Sequence, residues 1–117
     1  MICARVHPGE TNSSFACEGL IKFLLSDSED ANNIRTNYII KIIPFLNPDG
    51  VIHGNYRTSL SGEDLNRKWK RPDKDLHPEI YAMKKYLNET SYRKALFIDL
   101  HGHSKKKSSF MYGCFRK

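Results

Sequence analysis

Residues 38–46, Tyr-Ile-Ile-Lys-Ile-Ile-Pro-Phe-Leu, form a β-branched and almost continuously apolar run. Such a run is typical of a strand that is buried on both faces of a sheet. Residues 2–6 and 95–100 are two further apolar runs, and each of them predicts another strand. Segments with apolar residues at helical spacing lie between these runs. The alternation of strands and helices indicates an α/β fold with a mostly parallel sheet and flanking helices.

The remaining elements follow from apolar spacing and from turn-forming residues. Apolar residues at 15, 20, 21 and 24 predict the first helix, with Asn12 or Ser13 as its N-cap. A second helix is expected to begin near Pro78, because proline is favoured in the first turn. A further strand is expected at residues 110–112. The segments predicted to form turns or loops are residues 26–33, 47–50 and 51–75.

The composition is that of one globular domain, with 117 residues, 39% of them hydrophobic and 27% charged. No apolar run is long enough to span a membrane, so we expect no membrane partner. The 19 basic and 13 acidic residues give a net charge of +6, which favours anionic partners. The three cysteines lack a C-x-x-C spacing, and no export signal is visible. These features predict reduced thiols and a cytoplasmic location.

Two predicted strands are followed directly by side chains that bind metals. His7 and Glu10 follow the first strand in the sequence H-P-G-E, and His101 follows the strand at residues 95–100. An isolated H-x-x-E is also consistent with two solvated side chains. However, the carboxyl ends of parallel strands share one edge of a sheet, so these residues are expected to meet there. Ligands of the types His, Glu and His, with a fourth position open, form a catalytic zinc set.

The long polar loop contributes cations that could act beside such a metal. Arg57 could stabilise an oxyanion, and the pair Asn66 and Arg67 could bind a carboxylate through an amide and a guanidinium fork. Each arginine taken alone is more simply interpreted as a solvated loop residue.

Together, six short motifs make the sequence resemble a known family. In chain order they are HPGE (7–10), PFLNPDG (44–50), GNYR (54–57), GEDLNRKW (62–69), FIDLHGHS (97–104) and FMYG (110–113). They resemble the zinc carboxypeptidases of the carboxypeptidase A type, and in particular the cytosolic carboxypeptidase branch. The resemblance implies one Zn²⁺ per chain, bound by His7, Glu10 and His101. It also implies that Asn66 and Arg67 bind the terminal carboxylate of the substrate, and that Arg57 holds the oxyanion.

The resemblance further implies that residues 1–117 are a truncated catalytic domain with only part of its sheet. The N-terminal β domain of that branch and the C-terminal half of the catalytic domain, with its general-base Glu, are expected to be absent. The resemblance implies hydrolysis of C-terminal residues, in particular glutamates from acidic protein tails such as that of tubulin. His103 matches the branch motif, and we expect it only to pack beside the site.

Three other functions remain as alternatives. A zinc-dependent peptide binder without catalysis would retain the zinc ligands and the residues that bind the terminal carboxylate, but it would lack the general base. A deacylase of the same fold would act on small acyl amino acids, although the NPDG and DLNR strings favour a carboxypeptidase. The basic runs at 67–71 and 105–107 could contact nucleic acid. The family motifs already account for Arg67, however, so we expect no nucleic-acid partner.

Overall fold

The computed structural model describes residues 1–91 and 96–113. Its strands are β1 (Ile2–Ala4), β2 (Ile42–Ile43) and β3 (Ile98–Leu100). Its helices are α1 (Thr11–Leu24), α2 (Glu29–Asn37), α3 (Pro48–Ile52) and α4 (Pro78–Glu89), and a 3₁₀ turn covers Leu65–Arg67. None of the described helices is long and apolar enough to cross a membrane.

The sheet is small and entirely parallel, with the strand order β2-β1-β3. Cys3 pairs with Ile43 on one side and with Asp99 on the other, so β1 is the central strand. Its residues are buried, and Cys3 and Ala4 are fully enclosed. The predicted α/β class with a mostly parallel sheet and flanking helices is therefore confirmed.

The run at residues 38–46 is not the strand buried on both faces that its composition predicts. Only Ile42 and Ile43 pair with β1, both are half-buried, and Tyr38 and Ile39 are each 60% exposed. The regular ladder is interrupted at Pro44, which has no N–H to donate, and beyond it the Leu46 N–H donates to the Ala4 carbonyl at 2.8 Å. β2 is therefore an outer strand of the described sheet, and the prediction of burial on both faces was wrong.

The main core forms between the sheet, the long loop and α4. Its buried members are Cys3, Val6, Leu46, Leu65, Ile80 and Met83. Ile80 and Met83 lie on α4, which begins at Pro78 as the sequence predicts. Trp69 and Leu87 pack against this cluster from partly exposed positions. Burial of Leu65 anchors the loop that carries Asn66 and Arg67 to the core.

α2 corrects the prediction that residues 26–33 form a loop. Ser28 is its N-cap and accepts a hydrogen bond from the N–H of Ala31, while Glu29 and Asp30 occupy the first turn. A capping serine and acidic residues at this end stabilise a helix. The segment has one buried residue, Ala31, so it lacks the apolar stripe that signals a helix in a sequence.

Four smaller expectations also change. The cap of α1 is Glu10 rather than Asn12 or Ser13, and the Ser13 hydroxyl instead donates to the Glu10 carbonyl. Residues 47–50 do not form an isolated turn, because Asn47 accepts a hydrogen bond from Gly50 N–H and caps α3. Residues 110–112 form no strand. β1 ends at Ala4 and β3 begins at Ile98; Ala95 lies outside the described residues.

Candidate metal centre

The loop after β1 is shaped so that His7 and Glu10 face the same space. Arg5 has a φ of 60°, in the left-handed region, and this ends the strand. The Arg5 side-chain Nε then donates to the Pro8 carbonyl at 2.7 Å. Gly9 packs against Tyr56, and a Cβ at Gly9 would lie 2.7 Å from the Tyr56 carbonyl oxygen. A glycine at residue 9 therefore allows the H-P-G-E turn to lie against the long loop.

The end of β3 brings His101 to the same place. The N–H of Gly102 donates to Glu10 Oε2 at 2.6 Å, which ties the two loops together. A Cβ at Gly102 would lie 2.7 Å from the Asn12 side chain at the start of α1. The absence of a side chain at residue 102 thus permits this close approach.

The three predicted ligands meet with their donor atoms facing one another. One ligand atom from each of His7, Glu10 and His101 lies within 4.8 Å of the others. The two carboxylate oxygens of Glu10 lie 2.9 Å from His7 Nδ1 and 3.2 Å from His101 Nδ1. The two imidazole rings are 5.0 Å apart between centroids. His7 is buried, whereas Glu10 and His101 are partly exposed, so the cluster is accessible from one side.

Two further carboxylates hold the opposite ring nitrogens of both histidines. Asp64 Oδ1 lies 3.0 Å from His7 Nε2, and Asp99 Oδ2 lies 2.8 Å from His101 Nε2. A neutral imidazole that donates its Nε2–H to a carboxylate leaves Nδ1 free to bind a metal. Both Nδ1 atoms point toward Glu10, so the two rings are oriented as a metal site requires.

The ionisation of these groups reflects the same contacts. The hydrogen bond to Asp99 raises the pKa of His101 above its ordinary value, although burial opposes the shift. Partial burial alone would raise the pKa of Asp64. Hydrogen bonds from His7, Arg57 and the Asn66 N–H outweigh burial and lower it. Asp64 therefore remains charged and available to hold His7 in place.

The residues predicted in the long loop lie at different distances from the cluster. Arg57 Nε donates to Asp64 Oδ2 at 2.8 Å, and its Nη1 lies 3.9 Å from Glu10 Oε1. Arg67 is 66% exposed in its side chain, with Nε 4.0 Å from Asp64 Oδ2. Asn66 follows Asp64 in the 3₁₀ turn, and its N–H donates to Asp64 Oδ1 at 2.9 Å. Asp64 therefore links all three residues to His7.

The donor set fits zinc. Two imidazoles and one carboxylate, with an accessible side for water or substrate, are the ligands of a catalytic rather than a structural zinc site. Hydrogen-bonded carboxylates behind both imidazoles complete the pattern found around zinc-binding histidines.

Sequence reasoning missed Asp64 and Asp99 as functional residues. Each lies two residues before a predicted site residue, Asn66 in one case and His101 in the other. A search for carboxylates that could support the histidine ligands would have selected them. His103, expected to pack beside the site, is exposed instead, and its Nδ1 accepts hydrogen bonds from the N–H groups of Lys105 and Lys106.

Comparison with known proteins shows which family and which relatives this sequence matches. The zinc carboxypeptidase family pattern matches residues 1–114. Cytosolic carboxypeptidase 1 of Danio rerio is 57% identical over 116 residues, which cover 97% of this chain and 10% of the relative. Cytosolic carboxypeptidase 4 of Mus musculus is 52% identical over 120 residues, covering 100% of this chain and 11% of the relative. The chain thus spans about a tenth of the length of these curated relatives.

Solved structures share the fold. A metallo-carboxypeptidase from Burkholderia cenocepacia has a TM-score of 0.77 and is 37% identical, covering 87% of this chain and 28% of its own. A metallo-carboxypeptidase from Pseudomonas aeruginosa, solved with (2-guanidinoethylmercapto)succinic acid, has a TM-score of 0.75 and is 35% identical. It covers 87% of this chain and 27% of its own.

Proposed function

The chain belongs to the zinc carboxypeptidase family, and we propose that the protein containing it is a zinc-dependent carboxypeptidase that removes residues from the C-terminal ends of proteins or peptides. We propose His7, Glu10 and His101 as the ligands of one Zn²⁺. The convergence of their donor atoms within 4.8 Å, from the ends of two parallel strands, is the observation that carries this proposal. When bound there, zinc would acidify a water molecule and polarise the scissile carbonyl.

Arg57 is the proposed oxyanion-binding residue. Its guanidinium contacts Asp64 and approaches Glu10, so it lies at the rim of the metal cluster. A fixed cation at this distance can stabilise the charge that develops on the carbonyl oxygen. The hydrogen bond to Asp64 reduces the freedom of the side chain before substrate arrives.

Asn66 and Arg67 are the proposed clamp for the terminal carboxylate of the substrate. Both lie in the 3₁₀ turn that Asp64 connects to His7. A guanidinium and an amide N–H₂ supply donors in the directions that a carboxylate accepts. Binding the free carboxylate here would place the last peptide bond near the metal.

We further propose that the substrate is an acidic C-terminal tail from which glutamates are removed, with tubulin as the candidate. The net charge of +6 supports this choice, because a basic surface concentrates anionic substrates. The name shared by the curated relatives supports a cytoplasmic location for the protein.

The test uses the full-length protein and a synthetic peptide that ends in several glutamates. We expect release of free glutamate, detected by mass spectrometry, with loss of activity on chelation and recovery on addition of zinc. A peptide of the same sequence with an amidated C-terminus should be resistant, because it lacks the terminal carboxylate. Peptide binding without release of any residue would contradict catalysis and favour a zinc-dependent peptide binder.

Substitutions of the two arginines should affect different kinetic constants. Arg67→Ala is expected to raise KM about ten-fold with a smaller change in kcat, because it removes a carboxylate contact. Arg57→Ala is expected to lower kcat by about a hundred-fold, because it removes a contact strongest in the transition state. Arg71→Ala is the control, since Arg71 is exposed and has no ion pair among residues 1–91 and 96–113. An identical effect on KM alone from both site variants would contradict the separate roles.

A further inference from the structure

The indole of Trp69 fixes the orientation of the Asn66 side chain. Trp69 Nε1 lies 3.0 Å from Asn66 Oδ1. Because the indole N–H can only donate, the amide atom that it contacts must be the oxygen. The amide N–H₂ of Asn66 therefore faces away from Trp69, and it has no hydrogen-bond partner in the described part of the chain.

Trp69 is itself held by packing. It lies partly buried against the main core cluster, and its ring meets Phe97 edge to face, with centroids 5.7 Å apart. Phe97 directly precedes β3, the strand that His101 follows. The indole thus connects the loop that carries the clamp to the strand that precedes a proposed metal ligand.

We propose that Trp69 is a positioning residue for the substrate clamp. This inference rests on the proposed role of Asn66 in binding the terminal carboxylate. With its oxygen occupied by the indole, Asn66 presents two N–H donors and no acceptor to an incoming carboxylate. Without the indole N–H, the amide could rotate and present its oxygen, which would repel that carboxylate.

The test is Trp69→Phe in the full-length protein, because phenylalanine keeps an aromatic ring against Phe97 but removes the N–H donor. KM for the glutamate-ending peptide is expected to rise about five-fold, as for the loss of one hydrogen bond. The kcat and the zinc content should stay close to wild type, and KM is measured well below the Tm of the variant, because the smaller ring packs less closely against the core. Binding of a competing peptide with a free carboxylate should weaken by the same factor, whereas binding of its C-terminal amide should not change.

A double-mutant cycle separates positioning from packing. In the Asn66→Ala background, Trp69→Phe should add almost nothing to KM, because its only target is gone. An unchanged KM in the single variant, additive effects in the cycle, or a loss of zinc would each overturn the positioning role. These failures differ from failure of the proposed function, in which the wild type releases no residue or Asn66→Ala leaves KM unchanged.

Discussion

At the scale of single residues, four carboxylate oxygens decide how the two histidines point. Glu10 faces Nδ1 of both rings, whereas Asp64 and Asp99 each hold one Nε2. An imidazole has only one free lone pair when its other nitrogen donates a hydrogen bond. The contacts of Asp64 and Asp99 therefore select Nδ1 as the atom that is available to a metal.

Removal of one ligand should remove zinc. His101→Ala in the full-length protein is expected to abolish stoichiometric zinc, because two remaining ligands do not hold the ion in a three-ligand site. Metal content after dialysis, measured by mass spectrometry, gives the result. His103→Ala should retain one zinc per chain, since His103 is exposed and turned toward Lys105 and Lys106. Stoichiometric zinc in the His101 variant would place the metal elsewhere.

Removal of a supporting carboxylate should weaken zinc binding rather than abolish it. Asp99→Asn keeps the size of the side chain but removes its charge beside His101 Nε2. The affinity for zinc is expected to fall between about 10- and 100-fold, as for other residues that orient metal-binding histidines. Competition with a fluorescent chelator measures the change. Asp75→Asn, an exposed carboxylate outside the centre, is the control and should bind zinc as the wild type does. Equal affinities in the two variants would show that Asp99 does not support the metal.

At the scale of elements, the sequence predicted which site residues follow the strands better than it predicted which strand is central. His7, Glu10 and His101 were expected to meet because each follows an apolar run, and the parallel pairing of β1 and β3 brings them together. The central strand could not be chosen from composition, because residues 38–46 are more continuously apolar than β1. Pairing to both neighbours, a property of the whole sheet, makes β1 central.

The sequence did not predict α2 or the roles of Asp64 and Asp99, and these failures have related physical causes. α2 is stabilised by its cap, by charges at its ends and by burial of a single alanine, none of which produces an apolar period. Asp64 acts through a contact to His7, which is distant in the sequence, and Asp99 acts through a contact to His101, which directly follows β3. Both kinds of feature depend on hydrogen bonds, which hydrophobic periodicity does not record.

The cap of α2 provides a local test. Ser28→Ala removes the side-chain acceptor of the Ala31 N–H and is expected to cost about 1 kcal/mol of helix stability. In the full-length protein, hydrogen exchange of the amides in Glu29–Asn37 should accelerate about five-fold, while exchange in α4 should not change. Ser28→Asp keeps an acceptor and should exchange as the wild type does. Unchanged exchange in the alanine variant would mean that tertiary packing alone holds α2.

At the scale of the whole molecule, the small sheet leaves apolar surface at both sides. Tyr38, Ile39 and Phe45 are exposed in the segments flanking β2, and Leu96 and Phe97 are exposed just before β3. Each outer strand also has one edge that pairs with no other strand in the described ranges. Unpaired edges beside exposed apolar side chains favour association between chains.

The isolated 117-residue chain is therefore expected to associate. Size-exclusion chromatography with light scattering, over a concentration series, should show species larger than the 13.6 kDa monomer. Ile39→Lys together with Phe45→Lys should shift the isolated chain toward monomer, because charge beside an open strand edge disfavours pairing. The same gain of two positive charges, made on α4 by Glu89→Lys, is the control and should have little effect, since Glu89 is exposed and lies far along the chain from β2. A monomeric, highly soluble chain that unfolds in one cooperative transition would contradict the expectation and show that the three strands and their helices form a stable unit alone.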